Sequence, residues 1–346
     1  MRRVETLIVL LALGFYAWFL RRFGWADVFH YIRLAGWGLV LTVSLEGLAR
    51  AANTLGWRVT IDDCPRGLGF GELFAARIAG EAVDYVTPSA QIGGQFVMAM
   101  MVRRKLRMAA GLATVIVASL AEMLGQVSFI AGGMAAVLPF EAEFHHLLWP
   151  ALGGLGLAIA LAAGFFYVQM KRPFSYLWRA AVRLDLSRIN NEEVRVAAAE
   201  ADAHLLDFYA HHRWRLAAAC LCYLFAWSLG PIEIYILLVL LREPANWEVA
   251  LLVEVLGQLI ERATFVIPAK LVSQEGGKAL VMAMLGYPAD VGFAVGLLRR
   301  FKEMIWVMFG LSSLTLHRLV VERADREQGR TQGVLEISSA RGEQSL

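Results

Sequence analysis

Charged side chains within apolar stretches are the first feature of this sequence that could do chemistry. Glu122 lies near the middle of the apolar run 108–135, and Glu303 lies beside Lys302 near the middle of a second run, 288–316. An unpaired charge at the centre of a bilayer costs about 2.5–3.5 kcal/mol on insertion scales. Such side chains must face protein or a water-filled cavity, where they could bind a charged headgroup or carry protons.

Two stretches of the chain repeat the same pattern of residues. The first runs from Glu81 to Met123 and the second from Glu261 to Met304. In both, a glutamate precedes a proline by seven residues, a Gly-Gly pair and a Val-Met-Ala-Met block follow, and a Glu-Met pair closes the stretch. Five matches in the same order indicate an internal duplication.

Each repeat has a proline in the middle of an apolar stretch, Pro88 within 69–102 and Pro268 within 247–285. Proline lacks the backbone donor, clashes one turn back and keeps the preceding residue out of the helical region. We therefore predict that each stretch forms two half-length helices, a re-entrant hairpin with its break inside the membrane. Broken backbone is tolerated at that depth only where protein buries it or water reaches it.

A glycine pair follows each break, Gly93-Gly94 in the first repeat and Gly276-Gly277 in the second. A helix N-terminus exposes free N–H groups and a partial positive charge, and glycine lets a ligand approach the backbone closely. Two such N-termini at mid-depth would suit an anion. The alternative is that the glycines only form a notch for helix packing.

The charged and polar residues of the two repeats form the candidate substrate site. The basic members would hold a phosphate group, and the acidic members would balance that charge or carry protons. The predicted phosphate ligands are Lys270, Lys278, Arg299 and Arg300. The full set is Arg77, Glu81, Asp84, Pro88, Gln91, Gly93, Gly94, Gln95, Glu122, Glu261, Arg262, Pro268, Lys270, Glu275, Gly276, Gly277, Lys278, Arg299, Arg300, Lys302 and Glu303.

The alternative interpretation is that these charges only hold helices together. Arg299 and Glu303 are four residues apart and could pair along one face of a helix. The same spacing joins Glu46 to Arg50 in the second span. Glu122 has no basic residue within four positions, so any partner must lie on another element.

The composition is that of an integral membrane protein. The chain is 58% hydrophobic and 18% charged, with a mean hydropathy of +0.55, whereas a soluble domain is nearer half apolar and a quarter charged. The excess lies in blocks about 20 residues long, the length that crosses a bilayer. The small net charge of +3 is spread out and indicates no nucleic-acid partner. The predicted spans are 4–20, 35–55, 108–135, 147–169, 216–241 and 288–316.

We predict an all-α polytopic membrane protein with about six full spans and two proline-broken re-entrant hairpins in an inverted repeat. The predicted segments are two N-terminal spans (1–58), the first repeat (59–169), a cytoplasmic linker helix (170–215), the second repeat (216–320) and a disordered cytoplasmic tail (321–346).

The orientation follows from the arginines and lysines of the short loops. The loop 103–107 and the linker 170–215 are rich in them, whereas 138–146 contains none. This places the loop 103–107, the linker and both termini in the cytoplasm, and it gives the two repeats opposite orientations.

These motifs resemble a known family. Pro88 followed by Gly93-Gly94 at the start of a helix, with a charged long helix after it, resembles the flippase-like transmembrane region of lysylphosphatidylglycerol synthases and related small integral membrane proteins. Leu55-Gly56-Trp57-Arg58 fits the end of that family's second helix. Among the subgroups of that family, the chain resembles the hopanoid-cluster membrane protein. Gln95 and Lys278 stand where the common form has a glutamate.

The resemblance implies translocation of a lipid between the leaflets of a bacterial inner membrane. We therefore expect a flippase-like protein that moves a polar or anionic lipid, phospholipid, hopanoid-type or lipid-linked, with membrane lipids as partners. No sequence after residue 320 matches the synthases' soluble transferase domain, so synthase activity is not expected. We predict no cofactor, no metal and no catalytic motif. A lipid-modifying enzyme and an assembly partner of lipid-biosynthetic membrane proteins are the alternatives, and a homo-oligomer is compatible with each.

Overall fold

The computed structural model describes residue 14 and residues 33–62, 64–87, 92–137, 141–183, 191–263 and 273–343. The predicted span 4–20 lies outside the described residues except for residue 14, as do the predicted site residues Pro88, Gln91, Pro268 and Lys270. For Arg262 and Glu275 only the backbone is described, and it is helical.

The described residues form helices joined by short connections, with no strand among them. The helices of eleven residues or more are α1 (Gly38–Thr60), α2 (Phe70–Val86), α3 (Ile92–Val102), α4 (Met108–Val137), α5 (Glu141–Met170), α6 (Pro173–Arg183), α7 (Glu192–His211), α8 (Arg213–Leu240), α9 (Trp247–Ala263), α10 (Ser273–Met284) and α11 (Ala289–Glu343).

Three of these helices are long and apolar enough to cross a membrane. The segments are Met108–Ala136 in α4, Ala151–Met170 in α5 and Arg213–Leu240 in α8. The all-helical membrane class predicted from the sequence is thereby confirmed. The number of spans and the inverted orientation of the repeats stay predictions.

Each proline-containing stretch forms two short helices, as predicted. The first hairpin consists of α2 and α3, which pack against each other, and the second consists of α9 and α10. At the end of α2 the backbone of Thr87 is extended, with φ −107° and ψ 136°, because a following proline excludes the helical region. The depth of the hairpins in a membrane stays a prediction.

The long helix that follows each hairpin, α4 in the first repeat and α11 in the second, also packs on a hairpin helix of the other repeat. Helix α11 lies along α2 of the first hairpin, and α4 lies along α9 of the second. At the first crossing, a side chain on Gly310 would collide with the backbone oxygen of Ile78, so glycine is required for this approach. Helix α8 packs against α1 and α4, and the helices together surround a space that both repeats line.

The linker and the tail differ from the sequence prediction. Residues 170–215 contain two helices, α6 and α7, and α7 begins at Asn191, whose side chain accepts a hydrogen bond from the Val194 N–H. Helix α7 packs on the helix bundle, since Leu205 and Phe208 are buried against α4. In the tail, where we predicted disorder, the backbone continues α11 to Glu343. Residues 321–343 contain several Glu, Arg and Gln residues, which favour helix.

Candidate functional site

A polar cavity with a volume of about 260 Å³ lies between α1, α2, α4, α8, α9 and α11. Its walls carry more acidic than basic side chains. The acidic residues are Glu46, Glu81, Glu122, Glu233, Glu254, Glu261 and Glu303, and the basic residues are Arg50, Arg299 and Lys302. Both repeats contribute to the cavity, and α1 and α8 contribute as well.

Arg77 holds the first repeat's side of the cavity together. This side chain of α2 donates to Glu81 at 2.9 Å, to Glu122 at 3.0 Å and to the hydroxyl of Tyr223 at 3.2 Å. Its guanidinium carbon also lies 5.4 Å from the centre of the Tyr223 ring. The residue is only 5% exposed, so these bonds replace water around a buried charge. The prediction that Glu122 has its partner on another helix is confirmed.

Arg299 and Lys302 hold the second repeat's side. Arg299 donates to Glu233 of α8 at 3.0 Å and to Glu254 of α9 at 2.7 Å. Lys302 lies 2.6 Å from the other oxygen of Glu233. In the described part of the chain, the hydrogen bonds of Arg299 go to these two glutamates and not to Glu303, the partner predicted from the spacing of four. Glu233 and Glu254 are 3% and 2% exposed, and a carboxylate that deeply buried needs a cation.

Helix α1 joins the two sides. Arg50 pairs with Glu46 at 3.1 Å, which confirms the pair predicted from their spacing, and it also pairs with Glu81 of the first hairpin. The second oxygen of Glu46 lies 2.8 Å from the ammonium of Lys302. The sequence prediction placed α1 in the N-terminal spans and outside the site, so its two central charges were missed.

Two glutamines complete the connection between the sides. The Gln126 amide donates to Gln258 at 2.8 Å, and the Gln258 amide donates to Glu254 at 2.9 Å. Gln126 lies one helical turn beyond Glu122 on α4, so the chain of contacts returns to the helix on which it began. We call this network the polar ring. In order, its members are Glu122, Arg77, Glu81, Arg50, Glu46, Lys302, Glu233, Arg299, Glu254, Gln258 and Gln126.

The glycine pairs serve helix packing. The N–H of Gly94 donates to the carboxylate of Asp84 at 2.8 Å. A side chain on Gly94 would collide with that carboxylate and with the backbone oxygen of Gly80. In the second hairpin, a Cβ on Gly277 would lie 3.1 Å from Ile260 of α9. An internal carboxylate thus occupies the start of α3, and the packing alternative accounts for Gly94 and Gly277.

The remaining predicted residues surround the cavity without lining it. Gln95 donates to Ser119 of α4 at 2.9 Å, and Lys278, 1% exposed, lies 3.3 Å from Glu261. Arg300 is 1% exposed and is not among the residues that line the cavity. Gly93 is half-buried and Gly276 is exposed at the starts of their helices.

The predicted phosphate site stays a prediction, since Lys270 lies outside the described residues and the side chains of Lys278 and Arg299 are bound to carboxylates. Among the described residues, every basic side chain that lines the cavity is bound to a carboxylate. Lys278 is bound in the same way, behind the wall. Within the described ranges, seven carboxylates line the cavity against three basic groups, and Arg77 and Lys278 bind three of those carboxylates from behind the wall. The partly exposed carboxylates of Glu81 and Glu122 suit a positively charged or proton-bearing group better than a bare anion.

Sequence reasoning missed Glu46, Arg50, Glu233, Glu254, Gln126 and Gln258. Glu233 and Glu254 stand within apolar segments, the same signal that singled out Glu122. Neither glutamate has a like residue at the matching position of the other repeat, so the repeated pattern does not mark them. No group of three or more His, Cys, Asp or Glu side chains among the described residues is arranged to hold a metal ion.

Comparison with known proteins gives a family and no individual relative. No curated protein and no solved structure matches the chain. A family model described as the lysylphosphatidylglycerol synthase TM region matches residues 6–310, a range that includes both hairpins, both repeats and every member of the polar ring. The resemblance inferred from the motifs is confirmed, and the chain belongs to the family of the lysylphosphatidylglycerol synthase TM region.

Proposed function

We propose that this protein moves the headgroup of a polar lipid across the membrane through the cavity that the polar ring surrounds. The observation that carries the proposal is a network of buried charges around an open space, built by both repeats, inside a bundle of apolar helices. Membrane proteins rarely place ionisable side chains at such depth unless they line a substrate or ion path. Membership of a lipid-related family agrees with this function.

The charges of the cavity favour a headgroup that carries an amine. Among the described residues, the basic side chains on the cavity wall are all bound to carboxylates, whereas Glu81 and Glu122 are 30% and 32% exposed. Glu122 binds Arg77 through one carboxylate oxygen, and its other oxygen could accept a bond from an ammonium group. Arg77 would keep its carboxylate partners, so the site would accept a charged headgroup without leaving a buried charge unpaired.

The two hairpins supply a way to alternate the access to the cavity. If the repeats have the opposite orientation predicted from the basic loops, the polar ring lies at their interface. Transporters of inverted repeats move one repeat against the other around a central site. The pairs that α1 makes with hairpin helix α2 and with the long helix α11, Arg50 with Glu81 and Glu46 with Lys302, would then break and re-form during the movement.

A lipid-transport assay tests the proposal. The purified protein is reconstituted into vesicles that contain fluorescent aminoacyl-phospholipid, phosphatidylethanolamine or phosphatidylglycerol, and a membrane-impermeant quencher reports the leaflet of each. We expect transport of the amine-bearing lipids to exceed that of phosphatidylglycerol. An unchanged leaflet distribution for all three would contradict the proposal.

Mass spectrometry of the same vesicles separates transport from catalysis. The proposal contains no covalent step, so the lipid masses should be unchanged after incubation. A new lipid mass that requires the protein would instead support the lipid-modifying enzyme considered from the sequence.

A further inference from the structure

A second concave region lies between α2, the loop after α3 and α11. It is a groove with a volume of about 770 Å³, separate in its lining from the polar cavity. Its walls are mostly apolar and include Phe74, Ile78 and Phe309, whereas one end carries Glu72 and Arg104. Apolar walls with one charged end match the shape of a lipid, whose acyl chain is apolar and whose phosphate is charged.

The walls of the groove are fixed by contacts between α2 and α11. Phe74 and Trp306 meet edge to face with ring centres 6.2 Å apart, and Phe309 lies 5.6 Å from Trp306. The hydroxyl of Ser313 donates to the backbone oxygen of Ala75 at 3.1 Å. The groove is thus a built feature of the helix packing and not a gap between loosely associated helices.

In the part of the chain that the structure describes, the charged end of the groove carries one acidic side chain, Glu72, and two basic ones, Arg104 and Lys105. Lys105 donates to both oxygens of Glu72, at 2.6 and 2.7 Å, and this hydrogen bond lowers the pKa of the Glu72 carboxyl group. The opposite charges of Lys105 and Glu72 therefore cancel at neutral pH. Arg104, which is exposed at this end, adds a positive charge, and a phosphate group is a complementary partner for a guanidinium.

Trp306 separates this groove from the polar cavity. Its ring lines the groove, and the guanidinium of Arg50, which lines the cavity, lies 5.3 Å from the centre of that ring. The indole N–H donates to the backbone oxygen of Val43 at 3.3 Å, which holds the ring in place. Lys302 and Glu303, about one turn earlier on α11, already face the cavity.

We propose that the groove binds a phospholipid from the leaflet next to the basic loop, with an acyl chain against Phe74, Trp306 and Phe309 and the phosphate at Arg104. We further infer that Trp306 is the partition that a headgroup must pass to reach the polar ring, a step that rests on the proposed function. The binding site itself does not depend on transport.

Photolabelling tests the binding site. The protein in nanodiscs is exposed to phosphatidylglycerol that carries a diazirine in the acyl chain, and the labelled peptides are identified by mass spectrometry. We expect the label to concentrate on the α2 and α11 peptides that line the groove. Equal labelling of α5, whose apolar residues Leu157 and Ile159 are exposed and do not line this groove, would overturn the proposal.

A pair of arginine variants tests the phosphate contact. Arg104→Gln should reduce the groove labelling about two- to fivefold, the range expected for loss of one partly exposed charge contact. Arg103→Gln is the matched control, because Arg103 belongs to the same loop but does not line the groove. Equal labelling in Arg104→Gln and the wild type, or equal losses in both variants, would contradict the assignment of Arg104.

A pair of aromatic variants tests the partition. Trp306→Ala joins the groove to the cavity, so the preference among fluorescent lipids should weaken. Trp214→Ala, which removes an indole from an exposed position on α8 that lines neither the groove nor the cavity, is the control and should keep the preference. A preference unchanged in Trp306→Ala would overturn the partition. If the wild type transports no lipid, the proposed function fails, and the labelling still decides whether the groove binds phospholipid.

Discussion

The two repeats place opposite charges on corresponding helices. In the first repeat the buried cation, Arg77, lies on the hairpin helix α2, and its partner Glu122 lies on the long helix α4. In the second repeat the carboxylate, Glu254, lies on the hairpin helix α9, and the cation, Arg299, lies on the long helix α11. The repeats share their helix breaks and differ in the sign of their charges, so the polar ring needs both of them.

The two sides also differ in how deeply their carboxylates are buried. On the first repeat's side, the side chains of Glu81 and Glu122 are 30% and 32% exposed to the cavity. On the second repeat's side, those of Glu233 and Glu254 are 4% and 2% exposed. The first pair can therefore meet a ligand, whereas the second pair holds helices together. Under the proposed function, the two interpretations left open by the sequence, a ligand site and a set of contacts that hold helices together, apply to different sides of one ring.

The largest loss of stability is expected on the second repeat's side of the polar ring, where the carboxylates are almost completely buried. We call this the sealed side. Glu233→Gln removes a carboxylate that binds both Arg299 and Lys302, and breaking a buried pair costs about 3–5 kcal/mol. We expect a large loss of folding yield and of the melting temperature in detergent. Glu193→Gln, on the exposed face of α7, is the control and should melt like the wild type. A wild-type melting temperature for Glu233→Gln would show that the carboxylates of the second repeat's side do not hold the helices together.

A smaller loss of stability is expected at Gly94, where α3 packs against α2 in the first hairpin. Gly94→Ala pushes a methyl group into Asp84 and the backbone of Gly80, and overpacking costs about 1–3 kcal/mol. The control in the other hairpin is Gly276→Ala, at an exposed position, where alanine favours the helix and should keep or raise the melting temperature. If both variants retain full stability, the packing role of Gly94 is wrong.

The first repeat's side of the polar ring, whose carboxylates are partly exposed and which we call the open side, should tolerate the loss of one charge. Glu122→Gln keeps an oxygen that can accept from Arg77, and the position is a third exposed to the cavity, so we expect a loss of less than about 1 kcal/mol. Thermal melts beside those of Glu233→Gln measure the difference between the two sides directly. If the melting temperature of Glu122→Gln is as low as that of Glu233→Gln, the distinction between an open side and a sealed side is wrong.

Cysteine labelling tests whether the two repeats have opposite orientations in the membrane. In a chain whose native Cys64, Cys220 and Cys222 are replaced by alanine, Arg104→Cys should react with an impermeant maleimide from the cytoplasmic side, and Ala142→Cys should react from the opposite side. This result would support the opposite orientation of the repeats. Labelling of both positions from one side would contradict the inverted repeat.

The hairpins could be predicted from the sequence, whereas the partners within the ring could not. Proline excludes a continuous helix by local sterics, so Pro88 predicts the break that the structure has after Val86. The spacing of Glu46 and Arg50 is likewise a local signal, and it gave a correct pair. Arg299 follows the same spacing rule with Glu303, yet its bonds go to distant helices. Burial decides between such partners, and burial depends on packing that the spacing of residues does not encode.

The central claim is that the open carboxylates of the polar ring act on a transported headgroup. The most direct test is the rate of leaflet exchange of a fluorescent amine-bearing phospholipid in vesicles that contain either wild type or Glu122→Gln at equal, verified amounts of folded protein. We predict rapid exchange with the wild type and exchange near the protein-free rate with the variant. Equal rates for the two proteins would contradict the claim and would leave the ring a structural network.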